Sequence, residues 1–138
     1  MFSKVIIYTD GAARGNPGPS GAGWIIRTDA GKVVSEGSRY LGELTNNQAE
    51  YRALLLALED ALKQKAKTVE IYCDSELIVR QVQGKYKVKN EGLKPWFDKV
   101  RLMLTKFEAH SIAHVMREQN SEADHLANLS IDAHFTSK

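Results

Sequence analysis

Thr45-Asn46-Asn47-Gln48-Ala49-Glu50-Tyr51-Arg52-Ala53-Leu54-Leu55-Leu56-Ala57-Leu58 opens a helix and sets an acid on its inward side. Asn46 or Asn47 is a capping residue, and the helical pattern runs to about Lys63. Counted from Glu50, the positions i+3, i+4, i+7, i+8, i+11 and i+12 are Ala53, Leu54, Ala57, Leu58, Ala61 and Leu62. Glu50 therefore heads the apolar stripe, the face that packs. A glutamate serving only solubility belongs on the other side, near Asp60 or Lys63.

Before this helix the sequence reads as strands. Lys4–Thr9 is a strand that ends at the turn Asp10-Gly11, and Ala12–Ser20 is a loop rich in Gly, Pro and Asn. Ala22–Arg27 and Lys32–Tyr40 are two more strands, split by a turn at Asp29-Ala30-Gly31. After it come a strand at Thr68–Cys73, a short helix at Ser75–Gln83, and a basic loop at Lys85–Asn90. A helix at Leu93–Phe107, a strand at Ala109–His114 and a helix at Ser121–Ile131 complete the chain. The order βββαβααβα predicts an α/β layered domain with a mixed sheet, an antiparallel meander joined to parallel strands.

The 138 residues suit one domain spanning 1–138, with its core at about 4–131 and a short C-terminal tail. Nineteen Lys and Arg against seventeen Asp and Glu leave +2 with His neutral, which permits a nucleic-acid partner without demanding one. The single cysteine, Cys73, cannot pair within the chain, and its apolar setting reads as a core thiol in a reducing, cytoplasmic compartment. The longest apolar run, Ala53–Leu58, is far short of the ~20 residues of a membrane helix, and Met1 runs into a strand without a signal-peptide layout. Collagen, coiled coil, disordered tail, secreted mini-protein and membrane protein are excluded.

Three further acids stand beside Glu50. Asp10 ends a strand, Asp74 precedes a helix start at Ser75, and Asp124 falls in the first turn after Ser121. Each has an ordinary reading: turn residue for Asp10, capping box for Asn47-Gln48-Ala49-Glu50, helix-dipole partner for Asp74 and Asp124. Helical phase argues otherwise. Asp74 is followed by Leu77, Ile78 and Val82 on one face, and Asp124 by Ala127 and Ile131. Asp10 and Asp74 also close strands at the carboxyl edge, where α/β sheets build sites. Carboxylates buried side by side are costly unless a cation joins them, and all-oxygen ligation suits Mg²⁺ or Mn²⁺.

The loops add recognition groups. Gly11-Ala12-Ala13-Arg14-Gly15-Asn16-Pro17-Gly18-Pro19 lets backbone approach a large ligand and supplies one guanidinium and one amide. It lacks the Gly-Lys-Ser/Thr of a nucleotide phosphate loop, and Gly21-Ala22-Gly23 lacks the third glycine of a dinucleotide fingerprint, with Ile26 in its place. Thr45-Asn46-Asn47 puts a hydroxyl and two amides at a helix N-terminus, suited to capping or to phosphate and ribose. Lys85-Tyr86-Lys87-Val88-Lys89-Asn90 is a solvated loop or a nucleic-acid contact. Trp24 and Trp96 read as core, and His110, His125 and His134 as surface or packing residues. His114 precedes the loop to Asp124 and so can reach the same site. No spacing points to zinc or to a covalent nucleophile.

Tyr8-Thr9-Asp10-Gly11, Gly15-Asn16-Pro17-Gly18-Pro19, Thr45-Asn46-Asn47-Gln48-Ala49-Glu50, Cys73-Asp74-Ser75 and His114…Asn120…Ala123-Asp124 together resemble type 1 ribonuclease H. The ordered set covers Lys4 to about Ser130. The resemblance implies a ribonuclease H-like fold with a five-stranded mixed sheet in the order 3-2-1-4-5 and helices on both faces. It implies endonucleolytic cutting of the RNA strand of an RNA/DNA hybrid, leaving 3′-hydroxyl and 5′-phosphate ends. Asp10, Glu50, Asp74 and Asp124 would hold two divalent ions, Mg²⁺ or alternatively Mn²⁺. One activates a water and the other steadies the leaving 3′ oxygen, about 3.5–4 Å apart across an in-line displacement. His114 matches the family's flexible-loop histidine, ten residues before Asp124, and would assist proton traffic or product departure. Asn16, Asn46 and Asn47 match minor-groove contacts to 2′-hydroxyls or bases. Thr45 and Asn90 match a pocket for a DNA-strand phosphate, a grip that separates hybrid from RNA duplex by backbone shape. Arg14 is a further candidate contact.

Two departures stand out. The basic, Trp-containing protrusion of many bacterial members is replaced by Gly84–Asn90, which implies weaker hybrid binding and likeness to compact forms, some of which also accept double-stranded RNA. Arg117 stands where other members have His, and would contact phosphate or support catalysis. The expectation is a monomeric enzyme without attached domains. Its rivals are another nuclease of the same layout, such as an integrase-like or junction-cutting enzyme, and a catalytically idle hybrid-binding domain.

Overall fold

The computed structural model describes residues 2–136. Its elements run β1 (Phe2–Ala13), β2 (Gly18–Thr28), β3 (Val33–Leu44), α1 (Asn46–Lys63), β4 (Ala66–Cys73), α2 (Glu76–Val82), α3 (Lys94–Leu104), β5 (Ala109–His114), a 3-10 turn (Arg117–Asn120) and α4 (Ser121–Thr136). The order is the expected one with a single 3-10 turn added. One sheet carries all five strands in the order β3-β2-β1-β4-β5. The first three pair antiparallel, and β4 is parallel to both β1 and β5.

The first three strands are longer than their composition advertised. Asp10 does not end β1: it pairs with Gly23, and the ladder continues to Ala13 opposite Ser20. Only Arg14–Pro17 remains outside the strands. Gly23, inside the expected strand, and Gly21, just outside it, both lie within β2, and α4 lies directly on them. A Cβ at Gly23 would stand 2.2 Å from the Ala123 carbonyl oxygen, and one at Gly21 2.4 Å from that of Ala127. Beyond Tyr40, β3 continues to Leu44 through an irregularity where Gly42 takes φ +82°.

α1 packs on one face of the sheet together with α2 and α3, and α4 lies on the other against β1, β2 and β3. The inward stripe of α1 is as read: Ala53, Leu54, Ala57, Leu58 and Ala61 are wholly buried, against Val5, Ile7, Val69 and Ile71. Leu77 departs from the reading and is exposed, while Ile78 and Val82 are buried. Asp74 lies outside α2, which begins after its cap Ser75, so a helical phase counted from Asp74 does not apply. Trp24 is core, its indole N–H donating to Asp60 at 2.9 Å. Trp96 is half-buried, with Arg52 and Lys99 each within 5 Å of its ring centre, at 4.7 and 4.5 Å. Cys73 is a buried free thiol.

Candidate active site

The parallel pairing of β1 with β4 ends at Thr9 and Cys73, so Asp10 and Asp74 are the next residue on each strand. There β1 stays with β2 while the chain after β4 turns away to α2. Glu50 enters from α1 into this opening. Thr45, not Asn46 or Asn47, caps the helix: its hydroxyl accepts from the Gln48 N–H, and the Gln48 side chain accepts from the Thr45 N–H. That box ends the capping reading of Glu50. Its carboxylate instead accepts from the Gly11 N–H at 2.6 Å, so α1 is fixed to β1 beside Asp10. The contact requires glycine, since a Cβ at Gly11 would lie 2.3 Å from the Ala49 backbone.

Asp10, Glu50 and Asp74 each offer an oxygen, all within 4.8 Å of one another. Asp10 and Glu50 are buried and Asp74 half-buried. Burial first, then the charges of Glu50 and Asp74, push the Asp10 carboxyl far above the ordinary carboxylate range. Glu50 is raised too, by burial and then Asp74, while the Gly11 N–H and the Arg117 charge pull it back. Asp124, half-buried in the first turn of α4, adds to the upward shift of Asp10. Hard oxygen donors so placed suit a divalent cation, whose charge offsets their repulsion.

The remaining candidates separate into those near the cluster and those engaged elsewhere. Arg117 opens the 3-10 turn, exposed, and its charge reaches Glu50. His114 is the last residue of β5, as expected, and pairs with Cys73; its side chain is exposed and makes no hydrogen bond among the described residues. Arg14 is turned onto α4, in an ion pair with Asp132 at 2.8 Å. The Asn16 side-chain oxygen accepts from the Asn46 N–H at 2.9 Å, which joins the β1–β2 turn to the start of α1. Asn46 is exposed and Asn47 half-buried. Thr45 and Asn90 approach one corner through Gln48, whose amide donates to the Gly92 carbonyl at 3.4 Å, while the Asn90 side chain accepts from the Gly92 N–H at 2.7 Å.

Sequence reasoning gave no role to Asn120. It is buried, and its amide nitrogen donates to the Thr9 carbonyl at 2.8 Å and to Asp74 at 3.2 Å. It thus fastens the turn before α4 to both strands of the cluster. The signal in the sequence is its place in the motif His114…Asn120…Ala123-Asp124, which marks the residue without giving its role.

The sheet order and the acidic cluster at its carboxyl edge define a ribonuclease H-like fold. A family model described as reverse transcriptase-like matches residues 8–130. Ribonuclease HI of Halobacterium salinarum is 42% identical over 129 residues, 94% of this chain and 65% of its own length. The crystal structure of RNase H1 from that archaeon superposes with a TM-score of 0.92 and covers 94% of this chain and 98% of its own. The bifunctional protein Rv2228c of Mycobacterium tuberculosis is 40% identical over 131 residues, 94% of this chain and 36% of its own. LC11-RNase H1, isolated from compost by a metagenomic approach, was crystallised with an RNA/DNA hybrid; it is 46% identical at a TM-score of 0.91, over 96% of this chain and 99% of its own. The chain therefore spans about two thirds of the archaeal relative's length and just over a third of the mycobacterial one's. It belongs to the type 1 ribonuclease H family.

Proposed function

We propose that this protein is an endoribonuclease that hydrolyses the RNA strand of RNA/DNA hybrids to 3′-hydroxyl and 5′-phosphate ends. The observation that carries the reading is the approach of Asp10, Glu50 and Asp74 to within 4.8 Å, with Asp124 near enough to raise the Asp10 carboxyl. Similarity to LC11-RNase H1, whose structure includes a hybrid, supports the substrate.

Asp10, Glu50, Asp74 and Asp124 would hold two Mg²⁺ ions, with Mn²⁺ as the alternative. Bound there, the ions supply an activated water and charge for the leaving oxygen. The chain's own residues do the rest. The Gly11 N–H holds Glu50, and Asn120 holds Asp74, so the donors stand ready before substrate arrives. Asn16, Asn46 and Asn47 present amides to 2′-hydroxyls and bases, while Thr45 and Asn90 take a DNA-strand phosphate. His114 moves a proton or eases product departure, and Arg117 meets phosphate beside Glu50.

Electrostatics supports a nucleic-acid partner more than the net charge does. Eight of the nineteen basic residues, but only two of the seventeen acids, lie between Arg80 and Lys106. Residues 80–106 carry +6, and the rest of the chain −4. We place the DNA strand along this segment, with double-stranded RNA as a secondary substrate. All four carboxylates come from one chain, which supports a monomer, and the buried thiol of Cys73 supports a cytoplasmic setting. Among the described residues no helix is long and apolar enough to cross a membrane.

The test is a gel assay of RNA/DNA, RNA/RNA, DNA/DNA and single-stranded RNA, with Mg²⁺ or with excess EDTA. The expected result is Mg²⁺-dependent cutting of the hybrid, with DNA/DNA untouched. Comparable cutting of DNA/DNA, or activity that survives EDTA, overturns the reading. Binding without cutting points to an idle hybrid-binding domain.

A further inference from the structure

Asp124 stands apart from the tight group of Asp10, Glu50 and Asp74, and no strand end orients it. What holds it lies on its own helix. The Asn128 amide nitrogen, one turn on, donates to the Asp124 carbonyl at 3.1 Å and to its carboxylate at 3.3 Å. On its other side the Asn128 side-chain oxygen accepts from Arg14 at 3.3 Å, and the same guanidinium nitrogen lies 3.5 Å from the Asn128 carbonyl. Arg14 is in turn held by Asp132, one further turn along α4.

We infer that Arg14 and Asn128 are positioning residues for Asp124, and that Arg14 serves the site through Asn128 instead of by touching substrate. The reason is donor polarity. An Asn amide can be reversed at little steric cost, which exchanges its donor and acceptor ends. A guanidinium only donates, so the Asn128 oxygen must face Arg14 and its NH₂ must face Asp124. Without Arg14 the orientation of the amide rests on the two Asp124 acceptors alone, and its oxygen loses the donor that holds it from the other side. Arg14 begins the turn that also carries Asn16, which bonds α1 at Asn46. One four-residue turn, Arg14–Pro17, thus ties the helix of Glu50 to the helix of Asp124. The ion pair itself is exposed, with side-chain exposures of 44% for Arg14 and 59% for Asp132, so it adds little to stability. Its effect falls on orientation.

The inference rests on the proposed site, and its test is chosen to fail separately. Asn128→Asp is the decisive variant. It keeps an acceptor for Arg14, and strengthens that contact, but sets an oxygen against Asp124. Two quantities are read: kcat and KM on a hybrid, and the Mg²⁺ concentration giving half of the thermal stabilisation. Asn128→Ala and Arg14→Ala are expected to lower kcat by about tenfold, the size usual for supports of metal ligands. Asn128→Asp is expected to lower it further and to move the Mg²⁺ midpoint upward. The double variant Arg14→Ala/Asn128→Ala should match Asn128→Ala alone. Near-normal kcat and Mg²⁺ midpoint for Asn128→Asp overturn the inference. So does Arg14→Ala raising KM with kcat intact, which would make Arg14 a substrate contact. If the unaltered protein cuts no hybrid, the proposed function fails, and the Mg²⁺ midpoints of Asn128→Asp and Asn128→Ala still decide the inference.

Discussion

At the scale of single residues, the carboxyls of Asp10 and Glu50 set the chemistry and tax the fold. Two unit charges 4 Å apart repel by about 4 kcal/mol at an effective dielectric of 20, a sizeable part of a domain's ~5–15 kcal/mol of stability. Asp10→Asn keeps the shape and removes a group that, without a cation, must either stay protonated or repel its neighbours in the folded state. It should abolish cleavage, raise the metal-free melting temperature by several degrees and shrink the gain on adding Mg²⁺, all readable by calorimetry and a gel. A less stable metal-free variant would make Asp10 a hydrogen-bonded strand residue instead. The same pair predicts a pH dependence. Both carboxyls titrate higher in the folded protein than in the unfolded chain, so the folded state holds more protons across that interval. Their contribution is fully present below about pH 4 and is lost as pH rises through the folded values, about 8 for Glu50 and about 10 for Asp10. Melts in EDTA should show this fall, and Asp10→Asn should flatten it. His114→Ala should slow turnover without abolishing it, since a placed acid or base is worth roughly 10²–10⁴-fold and the carboxylates remain. Its exposed place on β5 lowers the expected loss to the bottom of that range. A rate that ignores the substitution and stays flat across pH transfers the work to Arg117, whose charge already reaches Glu50.

At the scale of elements, the site depends on two close approaches of helix to strand. α1 meets β1 at Gly11, and α4 meets β2 at Gly21 and Gly23. Gly23→Ala would force α4 outward at Ala123, next to Asp124. We expect a destabilisation of roughly 1–3 kcal/mol, as for other overpacked sites, and a fall in Mg²⁺ affinity out of proportion to it, measured by melting with and without the ion. Thr45→Ala should cost about 1 kcal/mol by removing the helix cap. These approaches mark where sequence reading succeeded and where it stopped. The face of α1 was legible because Glu50 and five buried residues repeat at helical spacing within one segment. The start of β2, Gly18–Gly21, was not, since Gly21 answers a helix about a hundred residues later, and Gly18-Pro19 locally resembles a turn. Leu77 misled because the phase was counted from a residue outside the helix. Asn120 stood in the motif without a role, because its meaning is a bond to the Thr9 carbonyl, 111 residues away.

At the scale of the molecule, a net charge of +2 conceals a divided surface. The basic α2–α3 segment faces solvent with Lys85, Lys87 and Lys89 all exposed. Replacing these three with Ala should raise KM more than it lowers kcat. It should also reduce the salt slope of hybrid binding by about 0.7–0.9 for each phosphate no longer neutralised. An unchanged KM would leave the loop a solvated face, as composition alone allowed. The strand order carries a different consequence. β1 is made first yet ends in the middle of the sheet. Its pairing with β2 is local, but its other side, from Lys4 to Thr9, waits for Thr68 to Cys73. During synthesis that edge is bare until β4 leaves the ribosome, and open strand edges invite pairing with other chains. Chains stalled before Ala66 should therefore be readily digested by protease and adhere to one another, whereas released chains of all 138 residues should resist. Those early chains also lack Asp74 and Asp124, so the nascent protein is most in need of a chaperone at the stage when it cannot yet cut anything.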